Sequence, residues 1–149
     1  MRGISFKYHH GYGDIFNKIF NNISLLKHEW YITEAEVIED SSENYFGLPD
    51  KMLGLELLNA VIGKNYLVVF SNIQVFPVNT KRTKISSYQD FLDSKCEMCA
   101  LITDCEFIEI YVKEREVITQ IKSNAEKNGF REIEYITNEN DFRTKFSVI

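Results

Sequence analysis

A chain of 149 residues with 17 Lys and Arg against 22 Asp and Glu carries a formal charge of −5. That balance argues against non-specific binding to nucleic acid or to an anionic membrane, both of which reward a basic face. An apolar share of 44% with 7 Gly and 2 Pro excludes low-complexity and linker-rich organisation.

Residues 1–149 are therefore expected to form one α+β domain, long enough to bury a core without a metal or disulfide staple. No uninterrupted apolar run is longer than Tyr66 to Phe70, far below the ~20 residues a membrane helix needs. The opening residues Met1-Arg2-Gly3-Ile4-Ser5-Phe6-Lys7 lack the apolar run of a signal peptide. Three cysteines in such a chain read as reduced thiols, and the expected location is the cytoplasm.

Ile4, Phe6 and Tyr8 alternate with Ser5 and Lys7, the period of a half-buried strand. After the loop His9-His10-Gly11-Tyr12-Gly13, Ile15, Phe16, Ile19, Phe20 and Ile23 recur at helical spacing behind Asp14, a residue suited to cap them. Trp30 to Thr33 and Ala35 to Ile38 read as two short strands, and Glu39 to Pro49 as irregular polar chain.

Asp50 is the expected cap of a second helix with the stripe Leu53, Leu57, Leu58, Val61 and Ile62, closed by Gly63. Gly54 within it costs about 1 kcal/mol relative to Ala. Tyr66 to Phe70, continuing through Ile73 and Val75 to Pro77, reads as a central strand covered on both faces.

Ser87-Tyr88-Gln89-Asp90 resembles a capping box ahead of a short helix. Glu97 to Thr103 and Glu106 to Val112 read as strands joined tightly at Asp104-Cys105. The longest helix follows, with Val117, Ile118, Ile121 and Ala125 inward and Asn128-Gly129 at its end. A strand with Ile133 and Tyr135 on one face comes next, and Phe142, Thr144, Phe146 and Val148 suggest a last strand. From Tyr66 to Thr137 the order is strand, helix, strand, strand, helix, strand, that of the split βαβ, ferredoxin-like motif. With the terminal strands added, the expected architecture is a mixed, mostly antiparallel sheet with three to four helices packed on it.

Three motifs suggest chemistry. Cys96-Glu97-Met98-Cys99 has the CxxC spacing of half a zinc site or a redox couple. Residues three apart on a strand point to opposite faces, so Cys96 and Cys99 are expected to diverge, and Cys99 and Cys105 to serve as small core residues beside Leu101. No metal is expected. The loop holding His9 and His10 leads to Asp14, and a histidine with a carboxylate is the material of acid–base catalysis in a small hydrolase. Solvated surface is the plainer reading of that loop. Its Gly-Tyr-Gly is a fragment of a dinucleotide fingerprint in which Phe16 occupies the third glycine position.

Gly63-Lys64 is not a phosphate loop, because Leu58 stands at the first glycine position, Asn65 replaces the Ser/Thr, and the glycine ends a helix instead of opening one. No cofactor is expected. Lys81-Arg82-Thr83-Lys84 is a small basic cluster with the charge to hold an anion, and a solvated loop is its plainer reading.

The clearest asymmetry is acidic. Glu29, Glu34, Glu36, Glu39, Asp40, Glu43 and Asp50 fall in one stretch with no Lys or Arg, alongside Trp30, Tyr31, Tyr45 and Phe46. Charge steers association and aromatic side chains anchor it. Glu34, Glu36, Glu39, Asp40, Tyr45 and Phe46 are therefore the expected contact residues for a basic protein partner, and a solvated acidic face whose aromatics are core is the plainer reading of the stretch.

Two stretches taken together, Arg2-Gly3-Ile4-Ser5-Phe6 and Asn128-Gly129-Phe130 through Ile133-Glu134-Tyr135-Ile136-Thr137 to Arg143-Thr144, resemble a group of short bacterial proteins. That group is the domain-of-unknown-function family 2691, with Tyr88-Gln89-Asp90-Phe91-Leu92 and the hairpin at Asp104 as further landmarks. The resemblance implies a cytoplasmic bacterial protein. It transfers no catalytic residue, and neither the acidic segment nor His9-His10 belongs to it.

Overall fold

Alternation of side chains along the strands divides the chain between two cores on opposite faces of one sheet. The computed structural model describes residues 1–9, 11–40 and 47–149. In chain order the elements are β1 (Gly3–Lys7), α1 (Ile15–Phe20), β2 (Glu29–Glu39), β3 (Lys51–Leu53), α2 (Gly54–Val61) and β4 (Tyr66–Phe76). There follow α3 (Tyr88–Asp93), β5 (Met98–Thr103), β6 (Phe107–Val112), α4 (Arg115–Lys127) and β7 (Arg131–Ile136). The strands form one seven-stranded sheet in the order β3-β2-β4-β5-β6-β1-β7, and every pairing is antiparallel.

The chain is thus α+β. The element order strand, helix, strand, strand, helix, strand is present from β4 to β7. Neighbours in space follow a different rule: β4, β5 and β6 run as a meander, and β1 from the N-terminus inserts between β6 and β7. No helix among the described residues is long and apolar enough to cross a membrane.

Helices α1, α2 and α4 cover one face. Ile4 and Phe6 of β1, Ile73 and Val75 of β4, Met98, Ala100 and Ile102 of β5, and Ile108, Ile110 and Val112 of β6 point into it. The α4 stripe is Val117, Ile118, Ile121 and Ala125, as the periodicity predicts. Its end is a Schellman cap: Gly129 at φ 71° donates to the Glu126 carbonyl and Phe130 to that of Ala125. Asp14 caps α1 by accepting from the Asn17 amide.

The second helix starts later than the sequence suggests. Asp50 is not its cap; its carbonyl accepts from Ile32 N–H, Lys51–Leu53 form β3, and Leu53 is the capping residue, its amide held by the Glu56 carboxylate at 2.8 Å. Gly54 opens the helix because the buried Trp30 indole lies where a Cβ would stand. Ile62, placed in the apolar stripe by its spacing, is past the helix end and 65% exposed.

The other face is covered by the short helix α3 and irregular chain. Phe76, Cys99, Leu101, Tyr111 and Ile136 project from the sheet and meet Ile85 and Phe91 from the β4–β5 connection, and Phe146 and Val148 from the C-terminal tail. The tail is not the expected strand. Residues 137–149 contain none, Phe142 is 87% exposed, and only Phe146 and Val148 of the alternating set are buried. Phe146 N–H donates to Ser86 O at 3.0 Å, its ring lies 4.4 Å from that of Tyr111, and Arg143 binds Glu109 at 2.7 Å and the carbonyls of Lys145 and Ser147. Anchoring of this kind fixes the tail without a strand ladder.

Trp30–Thr33 and Ala35–Ile38 are one strand, β2, with register shifts against β4 between Ile32 and Glu34 and between Glu36 and Val37. Asp104 and Cys105, at φ 53° and 62°, make the tight β5–β6 turn. Two successive left-handed residues match the twist of a hairpin.

Candidate functional site

The acidic run lies along β2, and its position in the sheet follows from the register. Strand β3 is three residues long and pairs with β2 only at Glu29, Trp30 and Tyr31. From Thr33 to Glu39, β2 is bonded on one side to β4, and among the described residues no strand pairs with its other side. Such an edge leaves backbone donors and acceptors open to another extended chain.

Directly opposed residues share a face, so Glu34 (opposite Asn72) and Glu36 (opposite Phe70) project on the tail-covered face, and Glu39 (opposite Tyr66) on the helical face. Glu34 accepts from Asn72 Nδ2 at 3.3 Å, Glu39 lies 4.0 Å from Lys64 Nζ, and Asp40 accepts from Asn65 Nδ2 at 2.9 Å. Glu36 has no hydrogen bond or ion pair among the described residues. Glu29 is separate, bound to Lys51 at 3.3 Å. Trp30 is core: it is fully buried and its Nε1 donates to Leu25 O at 2.9 Å. Tyr45 and Phe46, the expected anchors, lie outside the described residues, as does His10.

The remaining residues of the His9 loop face separate partners. His9 Nδ1 lies 3.2 Å from Glu106 Oε1. Asp14 is occupied by the cap of α1, by Asn17 Nδ2 at 2.8 Å and by the Tyr66 hydroxyl, which also accepts from Phe16 N–H at 2.9 Å. Burial and the adjoining Asp14 carboxylate push the Tyr66 phenol well above its ordinary value. Asp14 thus serves to lock α1 onto β4. No hydrogen bond or ion pair joins it to His9.

The two cysteines of the CxxC converge, against the expectation that they diverge. Cys96 precedes β5, so strand alternation does not govern its side chain, and its Sγ lies 3.6 Å from that of Cys99 with both residues fully buried. Burial, with the Cys96 contact adding, pushes the Cys99 thiol up. Cys105 sits in the hairpin turn, half-buried, and is not the core residue its strand position suggests. Among the described residues no three or more Cys, His, Asp or Glu are grouped to hold a metal ion.

The tail-covered face also holds a cleft of about 580 Å3, lined by Thr33, Glu34, Asn72, Gln74, Arg82, Lys84, Ile85 and Phe146 with the hydroxyls of Ser86, Ser87, Thr144 and Ser147, and by Lys145. Asn72 and Gln74 are almost completely buried. Asn72 Nδ2 donates to Phe146 O at 3.0 Å and to Glu34, which fixes the amide orientation and leaves Oδ1 without a donor. Gln74 Oε1 also lacks a donor. A buried acceptor left unpaired costs about 1–3 kcal/mol. The signal for this cleft in the sequence is the polar set Ser71, Asn72 and Gln74 interrupting an apolar strand, of which Asn72 and Gln74 line the cleft, together with the basic cluster at 81–84.

The family model for DUF2691, described as "Protein of unknown function (DUF2691)", matches residues 1–147. The uncharacterised protein YncE of Bacillus subtilis (strain 168) is 28% identical, with 99% of each chain covered. No solved structure matches.

Proposed function

The chain belongs to the DUF2691 family, and for this member we propose a role as a protein-interaction module whose acidic β2 edge takes up a basic, extended segment of a partner. The observation that carries this reading is the edge itself: from Thr33 to Glu39 one side of β2 is unpaired among the described residues. Main-chain hydrogen bonds supply affinity when a peptide adds to such an edge, and side chains on alternate faces supply selectivity. Glu34 and Glu36 on one face and Glu39 on the other would favour Lys or Arg on both sides of the incoming strand. Asp40 lies at the end of that edge, and Tyr45 and Phe46 follow in the chain as candidate anchors.

Capture from a lysate of the native host, by the wild type and by an E34Q/E36Q/E39Q/D40N variant, tests the reading. It predicts a basic partner held by the wild type, released by raising salt from 0.1 M to 1 M, where the Debye length shrinks from about 10 to 3 Å, and absent from the variant. Equal capture by the two proteins would remove the acidic edge from the account.

A further inference from the structure

We propose that the cleft between β4, the 81–87 segment and the C-terminal tail is a binding site for a small phosphorylated polyol, such as a sugar phosphate. Among the described residues its lining carries three cations, Arg82, Lys84 and Lys145, against the single carboxylate of Glu34, in a chain whose net charge is −5. Among the described residues none of the three cations has a carboxylate within ion-pair distance; Arg82 instead rests over the Tyr31 ring at 4.8 Å. Exposed cations without a carboxylate partner, lining one concavity from the 82–84 segment and from the tail, suit a compact dianion.

A second and independent feature lies on the sheet side of the cleft. Asn72 Oδ1 and Gln74 Oε1 are buried acceptors without a donor, so the complementary ligand brings O–H or N–H groups as well as negative charge. The Nδ2 of Asn72 is already committed to Phe146 O and Glu34, which leaves acceptance as the free function of this amide. Phe146, the one aromatic ring in the lining among the described residues, is buried and committed to Tyr111 and Phe91. The cleft therefore offers no exposed ring for a nucleobase to stack on. Of the five hydroxyl residues in the lining, Thr33 already donates to Asn72 O, Ser87 caps α3 by accepting from Asp90 N–H, and Ser147 bonds Ile149. Ser86 and Thr144 keep hydroxyls that donate and accept with equal ease and suit sugar hydroxyls and phosphate oxygens alike. Polyol hydroxyls at the amide oxygens and phosphate at the cations satisfy both features together.

The test is an NMR titration of the full chain with glucose 6-phosphate, glucose, inorganic phosphate and adenosine monophosphate in parallel. Saturable amide shifts confined to residues around Thr33, Asn72, Gln74, Lys84 and Lys145 are expected with glucose 6-phosphate, at least tenfold tighter than with each of the other three probes. The K84A/K145A variant changes two exposed side chains, so its unfolding midpoint should match the wild type while glucose 6-phosphate binding weakens at least tenfold. Shifts that do not saturate, equal affinity for inorganic phosphate, preference for adenosine monophosphate, or undiminished binding by the variant would each overturn the assignment. None of these outcomes depends on the β2 edge, whose reading fails or survives separately.

Discussion

The two faces of the sheet are built from different materials. The helical face is mainly apolar: α1, α2 and α4 close over a continuous set of aliphatic and aromatic side chains, with Trp30 wedged against Gly54 and Phe20 edge-on to its indole at 5.0 Å. The opposite face is covered by a loop, a six-residue helix and a tail without secondary structure, and it holds Asn72, Gln74, the Cys96–Cys99 pair and the Arg143–Glu109 ion pair. The larger apolar cluster lies where helices pack. Asn72 and Gln74, whose buried amide oxygens lack a donor, lie on the other face next to the edge strand and the cleft, while the buried Ser71 hydroxyl faces the helices. Regions that bind are drawn from the less cooperative parts of a fold.

The comparison is broken most directly by truncation on each face. Trp30→Ala removes a fully buried indole and is expected to cost about 3–5 kcal/mol, read from urea denaturation. Phe146→Ala removes a ring of similar burial on the tail-covered face, and a smaller loss of about 1–3 kcal/mol is expected because the tail can detach locally. Equal losses would mean that both faces unfold as one unit.

A finer test uses Tyr66, whose hydroxyl joins Asp14 to the Phe16 amide on the helical face. Tyr66→Phe should cost about 1 kcal/mol at neutral pH. Its phenol is raised above the ordinary value of 10.0 by burial first and by Asp14 second. The fold therefore favours the protonated form, and this contribution is fully present below pH 10 and lost as pH rises beyond it. The wild type should lose stability above pH 10 more steeply than Tyr66→Phe. Identical alkaline slopes in the two proteins would contradict that assignment.

The smallest effect concerns the thiols. At pH 8 iodoacetamide should alkylate Cys105 first, and Cys96 and Cys99 only as the chain unfolds, because the turn residue is half-buried and the pair has no exposed surface. Mass spectrometry of the partly labelled protein gives the order.

Local periodicity carried much of this architecture. The four buried positions of α4, the full course of β4 through Val75, the Asp104-Cys105 turn and the Asn128-Gly129 cap are each legible in a window of a few residues, because 3.6- and 2-residue spacing and left-handed turn chemistry are local properties. The insertion of β1 between β6 and β7 is long-range and leaves no such mark. The tail misled for a related reason: Phe142, Thr144, Phe146 and Val148 alternate like a strand, but their partners are Ser86, Tyr111 and Glu109's ion pair with Arg143, not a ladder. Strand alternation would separate Cys96 from Cys99, but Cys96 lies outside β5 and does not obey it.

Of the candidate sites, the acidic run is visible as composition, but its place on an unpaired edge depends on the shortness of β3. The basic cluster at 81–84 is equally visible. Its convergence with Lys145 and with the unpaired amide oxygens of β4 arises only when the tail folds back.

The central claim, an edge that accepts a basic strand, is tested most directly by residue-resolved hydrogen exchange with an alternating Lys-Val peptide and its Glu-Val counterpart. The account predicts saturable slowing of the Thr33–Glu39 amides by the Lys-Val peptide alone, lost in the E34Q/E36Q/E39Q/D40N variant. Protection elsewhere in the sheet, or equal protection by both peptides, would contradict it.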